Sequence, residues 1–324
     1  MESLRAREGD LLETVEGLIF DVKGLVHPAD RVVAYLRYLE DPRGDRKKGG
    51  RTYIKVYSLE ERENILRSRY PQYLFYDPVF GEHLEGVPNK LISMLYQPDR
   101  KVSQLLTKTN LDQVEADSIE FVQLVHDSSG VALGKLGLSG SLLVNLHRRE
   151  SDMDLVTYGK ENCISVYETL KQLMQRSDSA ISSYGLNDLE KLYGFRSRDT
   201  WVRFEDFLTM ERRKFSQGKF KGRDFFARFI LDWDEVDEKY GDCLYKSAGY
   251  ARIEAKVDDD SEAIFTPCRY VLSPVKIVEG AKVSSVEEIV SFRGRFCEQA
   301  KKGETVVAQG KLEKVVKKDG AEYH

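Results

Sequence analysis

Alternating apolar and polar positions open the chain. "GLIFDVKGLV" (17–26), "RVVAYLRYL" (31–39) and "RTYIKVYSL" (51–59) are rich in β-branched and aromatic residues, as half-buried strands are. Between the last two lies "EDPRGDRKKGG" (40–50), a turn-rich basic loop of the kind that joins hairpin strands. Ser58 with Glu61 fits a capping box and predicts a helix through "LEERENILRSRY". "QYLFYDPVFG" predicts another short strand, and Pro88 followed by "NKLISMLYQ" predicts a further helix.

The apolar period lengthens in the middle of the chain. "LDQVEADSIEFVQLVHDSSG" (111–130) has helical spacing, with Gly130 at the expected stop. "ENCISVYETLKQLMQ", "NDLEKLYGF" and "FEDFLTMERRKF" also read as helices, and "RDFFARFILDW" (223–233) as a strand. "YARIEAKV" (250–257) and "AIFTPCRYVLSPV" (263–275) read as strands paired around the acidic turn "DDDSE". The tail, with turns at "KKGE" and "KKDG", reads as a β-meander that resembles a small OB-like or other β-barrel module. The expected class is α+β in three parts: an N-terminal α+β module (1–110), a central domain (111–278) with a helical insertion at about 160–220, and a C-terminal β-meander (279–324).

Composition narrows the function. The 324 residues are 41% hydrophobic, enough for a substantial core. No run approaches the roughly 20 apolar residues that span a bilayer, and the polar start "MESLRAREGDLLETVEG" is unlike a secretory signal, so no membrane is expected and the cytoplasm is the expected location. Cys163, Cys243, Cys268 and Cys297 are widely spaced and read as isolated thiols. With a net charge of −4, contact with nucleic acid has to come from local patches. "ERRKFSQGKFKGRDFFARF" (211–229), which interleaves cations with Phe, and "RGDRKKGGR" (43–51) are the two such patches.

The densest chemistry lies in "LSGSLLVNLHRRESDMDLVTYG" (138–159). A helix starting at Gly140–Ser141 and running through "LLVNLHRR" exposes unpaired N–H groups, and glycine lets a phosphate approach them. Asp152 and Asp154 are i and i+2, so on a strand both carboxylates share one face while Met153 and Leu155 turn to the core. Two carboxylates side by side repel unless a cation joins them, and hard oxygen ligands favour Mg²⁺ or Mn²⁺.

Gly140-Ser141, the spacer 142–151 and Asp152-Met153-Asp154-Leu155 resemble the signature of the nucleotidyltransferase superfamily, which includes DNA polymerase beta, CCA-adding enzymes and minimal archaeal members. The resemblance covers a domain core of about twenty residues. It implies a nucleotidyltransferase fold, catalysis with Mg²⁺ (or Mn²⁺), a nucleoside triphosphate as substrate, and an acceptor hydroxyl, with RNA or DNA the expected acceptor. It also implies a third carboxylate on a later strand. Glu254 in "ARIEAKV" is the expected residue, with Asp224 in "GRDFFARF" as its competitor. Arg149, and Arg148 beside it, are expected at the phosphates, whereas His147 reads as a surface or packing residue. Two other readings stay open: a nucleic-acid-binding protein on the same scaffold without turnover, and a transferase of AMP to protein.

Overall fold

The computed structural model describes residues 5–324; residues 1–4, where the polar N-terminus begins, lie outside the described residues. It is a mixed α+β protein with three sheets and, among the described residues, seven α-helices. None of these helices is long and apolar enough to cross a membrane.

The first sheet holds β1 (Leu11–Thr14), β2 (Ile19–Val22), β3 (Arg31–Glu40), β4 (Arg46–Lys48), β5 (Arg51–Lys55), β6 (Leu74–Asp77), β7 (Glu82–Pro88) and β8 (Ile92–Tyr96). Its main path runs β4-β5-β3-β2-β1-β8, and β7 joins β3 to β6. Helix α1 (Leu59–Arg69), capped by Ser58 as expected, places Leu66 in the core on one face with Leu12, Phe20 and Leu36. The other face presents Leu11, Ile19, Tyr38 and Tyr53, which pack on Leu143, Val144 and Leu146 of the central unit. The helix expected after Pro88 is instead strand β8, because Leu11↔Tyr96 and Leu12↔Leu95 pairing with β1 overrides local propensity. The helix, α2 (Pro98–Thr107), starts at the next proline.

The central unit contains α3 (Gln113–Ser129), β9 (Leu136–Leu138), α4 (Gly140–Leu143), β10 (Met153–Tyr158), α5 (Lys160–Met174), β11 (Ile181–Ser182), α6 (Leu186–Arg196), α7 (Phe204–Glu211), β12 (Gln217–Phe220) and β13 (Arg223–Ile230). Its sheet order is β11-β12-β13-β10-β9, with β10 and β13 parallel. The Asp112 capping box starts α3 and Gly130, in the left-handed region, ends it. One sheet face, with Met153, Leu155, Phe225, Ala227 and Phe229, packs under α2, α3 and α5. That leaves the opposite face for polar work.

The third sheet follows the order β16-β15-β14-β17-β18, from β14 (Cys243–Asp259), β15 (Cys268–Gly280), β16 (Glu288–Ser291), β17 (Thr305–Lys317) and β18 (Glu322–Tyr323). The tail strands therefore extend the β14–β15 pair into one antiparallel sheet.

Phe121 of α3 is fully buried, with its ring 4.7 Å from Phe225 and 5.3 Å from Phe220. Phe121→Ala is expected to cost about 3–5 kcal/mol of stability, read as a lowered denaturant midpoint with an unchanged slope.

Candidate functional site

Strand β9 delivers the chain to a turn at Ser139–Gly140, and β10 returns antiparallel to it with Leu155 opposite Leu138. Gly140 has φ +62°, and a Cβ there would lie 1.8 Å from Asp154 Oδ2. Only glycine fits this position, because the carboxylate rests on its backbone. The helix that follows is a single turn, not the longer one expected through Arg149. Leu142 enters one core, whereas Leu143, Val144 and Leu146 enter another, and no single helical face serves both. A one-turn helix offers little dipole, so a phosphate cradle built on its N-terminus loses most of its force. Ser141 is buried, and its hydroxyl lies 3.3 Å from Ser151 Oγ, which accepts from Arg148 N.

The parallel register Met153↔Phe225 and Asp154↔Phe226 brings the carboxylates together. Asp224 stands one residue before Phe225 on β13 and so shares with Asp154 the face opposite the helical core, and Asp152, immediately ahead of β10, lies close enough to act on the charge of Asp154. Asp224 is exposed and paired with Lys219 Nζ at 2.7 Å. Burial, and then the charges of Asp224 and Asp152, hold the Tyr184 phenol above its ordinary range, so one side chain senses both carboxylates. Glu254 is not brought to this face. It is an exposed residue of β14 in the third sheet, across from Lys276 and Val307. Alternation in "ARIEAKV" is the solvent-facing pattern of that sheet, and so does not mark a ligand.

Burial and the charge of Asp152 raise the Asp154 pKa to about 6, against the weaker opposing pull of Lys55, Arg228 and Arg37. Arg228 is on β13, on the carboxylate face, and is paired with Glu8. Glu8 continues to Lys23 at 3.0 Å, and Lys23 to Asp21 at 3.2 Å. Sequence reasoning missed Arg228, although the period-two pattern Asp224–Phe226–Arg228 carries it. It also missed Arg223, which donates to the Arg149 and Ser151 carbonyls and to Asp117, closing the loop ahead of Asp152. Of the expected phosphate ligands, Arg149 is exposed, and Arg148 is tied to Asp45 and Glu150.

Among the described residues, Asp152, Asp154 and Asp224 do not all lie within 4.8 Å of one another. Asp112, Glu115 and His147 do, but Asp112 and Glu115 form the α3 capping box, Lys108 neutralises Glu115, and His147 bonds to Asp112. The basic patches are in part tied up internally. In 211–229, Phe220, Phe225 and Phe229 are core, and Arg213, Lys219, Lys221 and Arg223 are ion-paired. In 43–51, Arg43, Lys48 and Arg51 have carboxylate partners, and Arg46 donates to the Leu146 carbonyl. Both runs are thus built partly into the fold, with Arg43, Lys47, Arg51, Arg212 and Lys221 exposed.

No protein-family model matches the chain, and no solved structure matches it. An uncharacterized protein of Methanocaldococcus jannaschii, MJ1086, is 31% identical over 328 residues, spanning 99% of this chain and 94% of its own.

Two outcomes are expected. Gly140→Ala loses about 1–2 kcal/mol from the left-handed backbone alone, and more from the collision with Asp154, in denaturant unfolding. Because the folded form of Asp154 holds its proton to higher pH than the unfolded form, its contribution to stability falls as pH rises from about 4 through about 6. Without divalent cations, Asp154→Asn therefore gains on the wild type over that interval, and equal pH profiles for the two would contradict the burial of this carboxylate.

Proposed function

The chain belongs to the family of MJ1086, and we propose that it is a metal-dependent nucleotidyltransferase, which moves a nucleoside monophosphate from a nucleoside triphosphate to an acceptor hydroxyl. The observation that carries this reading is the crowding of Asp154 against Gly140 and beside Asp152, with Asp224 in register on the parallel neighbour. A carboxylate held above its ordinary pKa by burial and by a second carboxylate would be relieved by a bound cation, and three aspartates are a hard oxygen donor set.

The fit to Mg²⁺ or Mn²⁺ is therefore good, with Asp152, Asp154 and Asp224 as the residues that would hold it. A metal bound there would lower the pKa of the attacking hydroxyl and neutralise charge on the departing pyrophosphate. Asp224 replaces Glu254 as the third carboxylate in this reading. The Asp224 side chain leaves Lys219 to join the other two, as catalytic groups often tighten only when the substrate is bound. Gly140 leaves room for the Asp154 carboxylate because it has no Cβ, and the Ser141–Ser151 contact fixes the turn that carries it. In the reaction the acceptor oxygen bonds to the α-phosphorus while the bond to the pyrophosphate oxygen breaks, in line. The acceptor supplies a hydroxyl, with RNA or DNA the expected source and protein the alternative.

With α-labelled nucleoside triphosphates, Mg²⁺ and each acceptor class, label is expected to transfer. Asp152→Asn, Asp154→Asn and Asp224→Asn should each reduce it by about a hundredfold or more, the scale of a lost transition-state charge contact. Glu254→Gln should leave it near the wild-type rate. Transfer that survives Asp152→Ala with Asp154→Ala would refute the assignment.

A further inference from the structure

The N-terminal module turns two cations, Arg37 and Lys55, toward the carboxylates. In the β2–β3 ladder, Ile19 pairs with Tyr38 but Phe20 pairs with Leu36, so Arg37 is the extra residue of a β-bulge. The consequence shows in the cores. Leu36 and Leu39 both enter the core under α1, whereas Tyr38 enters the one shared with Leu143 and Val144. Arg37 and Tyr38 therefore both face the central unit, which regular alternation does not permit. Bulges recur beside active sites because they re-aim a side chain in this way.

Lys55 stands directly across from Tyr38 on β5, hence on the same face. Arg37 and Lys55 are half-buried, and among the described residues neither makes an ion pair. Their near neighbour is the ring of Tyr57, 5.7 Å from Arg37 Cζ and 5.0 Å from Lys55 Nζ. Tyr57 is 52% exposed, and its ring lies 5.8 Å, edge to face, from that of Phe195 of α6, which is 46% exposed. Both cations also pull on Asp154. Asp154 is the charge they act on, yet neither cation has a carboxylate in direct contact among the described residues, so each can accept an arriving anion, and an exposed aromatic pair beside them offers a stacking face.

We propose that this junction is the other half of the nucleotide site, in which Arg37 and Lys55 hold the phosphates and Tyr57 with Phe195 stacks the base of a nucleoside triphosphate. It rests on the nucleotidyltransferase reading and gives the N-terminal module a role in that reaction.

The test is equilibrium binding of two probes, MgATP and magnesium tripolyphosphate, to the full chain and to Arg37→Gln, Lys55→Gln and Tyr57→Ala. Arg37→Gln and Lys55→Gln are expected to weaken both probes about tenfold each with little change in melting temperature, because the contact each loses within the fold is with the exposed Tyr57 ring and not with a paired carboxylate. Tyr57→Ala should weaken MgATP by about fivefold or more and leave tripolyphosphate unchanged. Wild type that binds MgATP with an affinity both cation variants retain would overturn this subsite while the carboxylate site stands. Tripolyphosphate binding that depends on Arg37 and Lys55, without label transfer to any acceptor, would uphold the phosphate-binding cations and overturn the transferase. Failure of wild type to bind either probe would overturn both.

Discussion

The contact between the Asp154 carboxylate and the Gly140 backbone is the constraint around which the rest of the central unit is arranged. It needs a residue without a Cβ in a left-handed turn, and it needs β9 and β10 close enough to pair. It also keeps a charge half-buried next to another of the same sign, and burial with repulsion raises the proton affinity of Asp154. Folding does not require such an arrangement, since an apolar residue at 154 would pack without it. A carboxylate kept buried beside a second one has the electrostatics expected where a ligand is to be held.

The N-terminal sheet is the second support of that site. Ser139 donates to the Gly9 carbonyl at 2.6 Å and Arg46 to the Leu146 carbonyl at 2.6 Å, so the turn on either side of Gly140 is anchored to the neighbouring module. The apolar joint of Leu11, Ile19, Tyr38 and Tyr53 with Leu143, Val144 and Leu146 excludes water beside these bonds. Along the same junction, Arg228, Glu8, Lys23 and Asp21 alternate in sign, which stabilises each charge near Asp154. The carboxylates are thus walled by two modules, and the site is incomplete in the central unit alone.

Much of this was legible in the sequence where a local rule dominates. The Ser58 cap, the Gly130 stop, the strand pair around "DDDSE" and the place of Asp154 on a strand all rest on short-range geometry, and the structure has them. What was not legible depends on partners far along the chain. "NKLISMLYQ" is helical in its local pattern, yet β1 takes Ile92–Tyr96 as a strand. "LLVNLHRR" loses its helix to two competing cores. Glu254 and Asp224 are equivalent as alternating strand carboxylates, and only the parallel pairing of β10 with β13 separates them. The Phe and Lys/Arg interleaving of 211–229 has the composition of a binding surface, but many of its side chains are spent on core and ion pairs. Arg37 carries no signal at all in one dimension, because its direction comes from a bulge.

The central claim is that Asp152, Asp154 and Asp224 hold a divalent cation at the phosphates of a nucleoside triphosphate. Crystals of the full chain soaked with Mn²⁺ and a non-hydrolysable ATP analogue test it most directly, through the anomalous signal of the metal. The account predicts a peak bounded by these three carboxylates, with Asp224 drawn away from Lys219 and a triphosphate beside Gly140. A peak at Glu254 or at Asp112, Glu115 and His147, with none at Asp152 and Asp154, would contradict it.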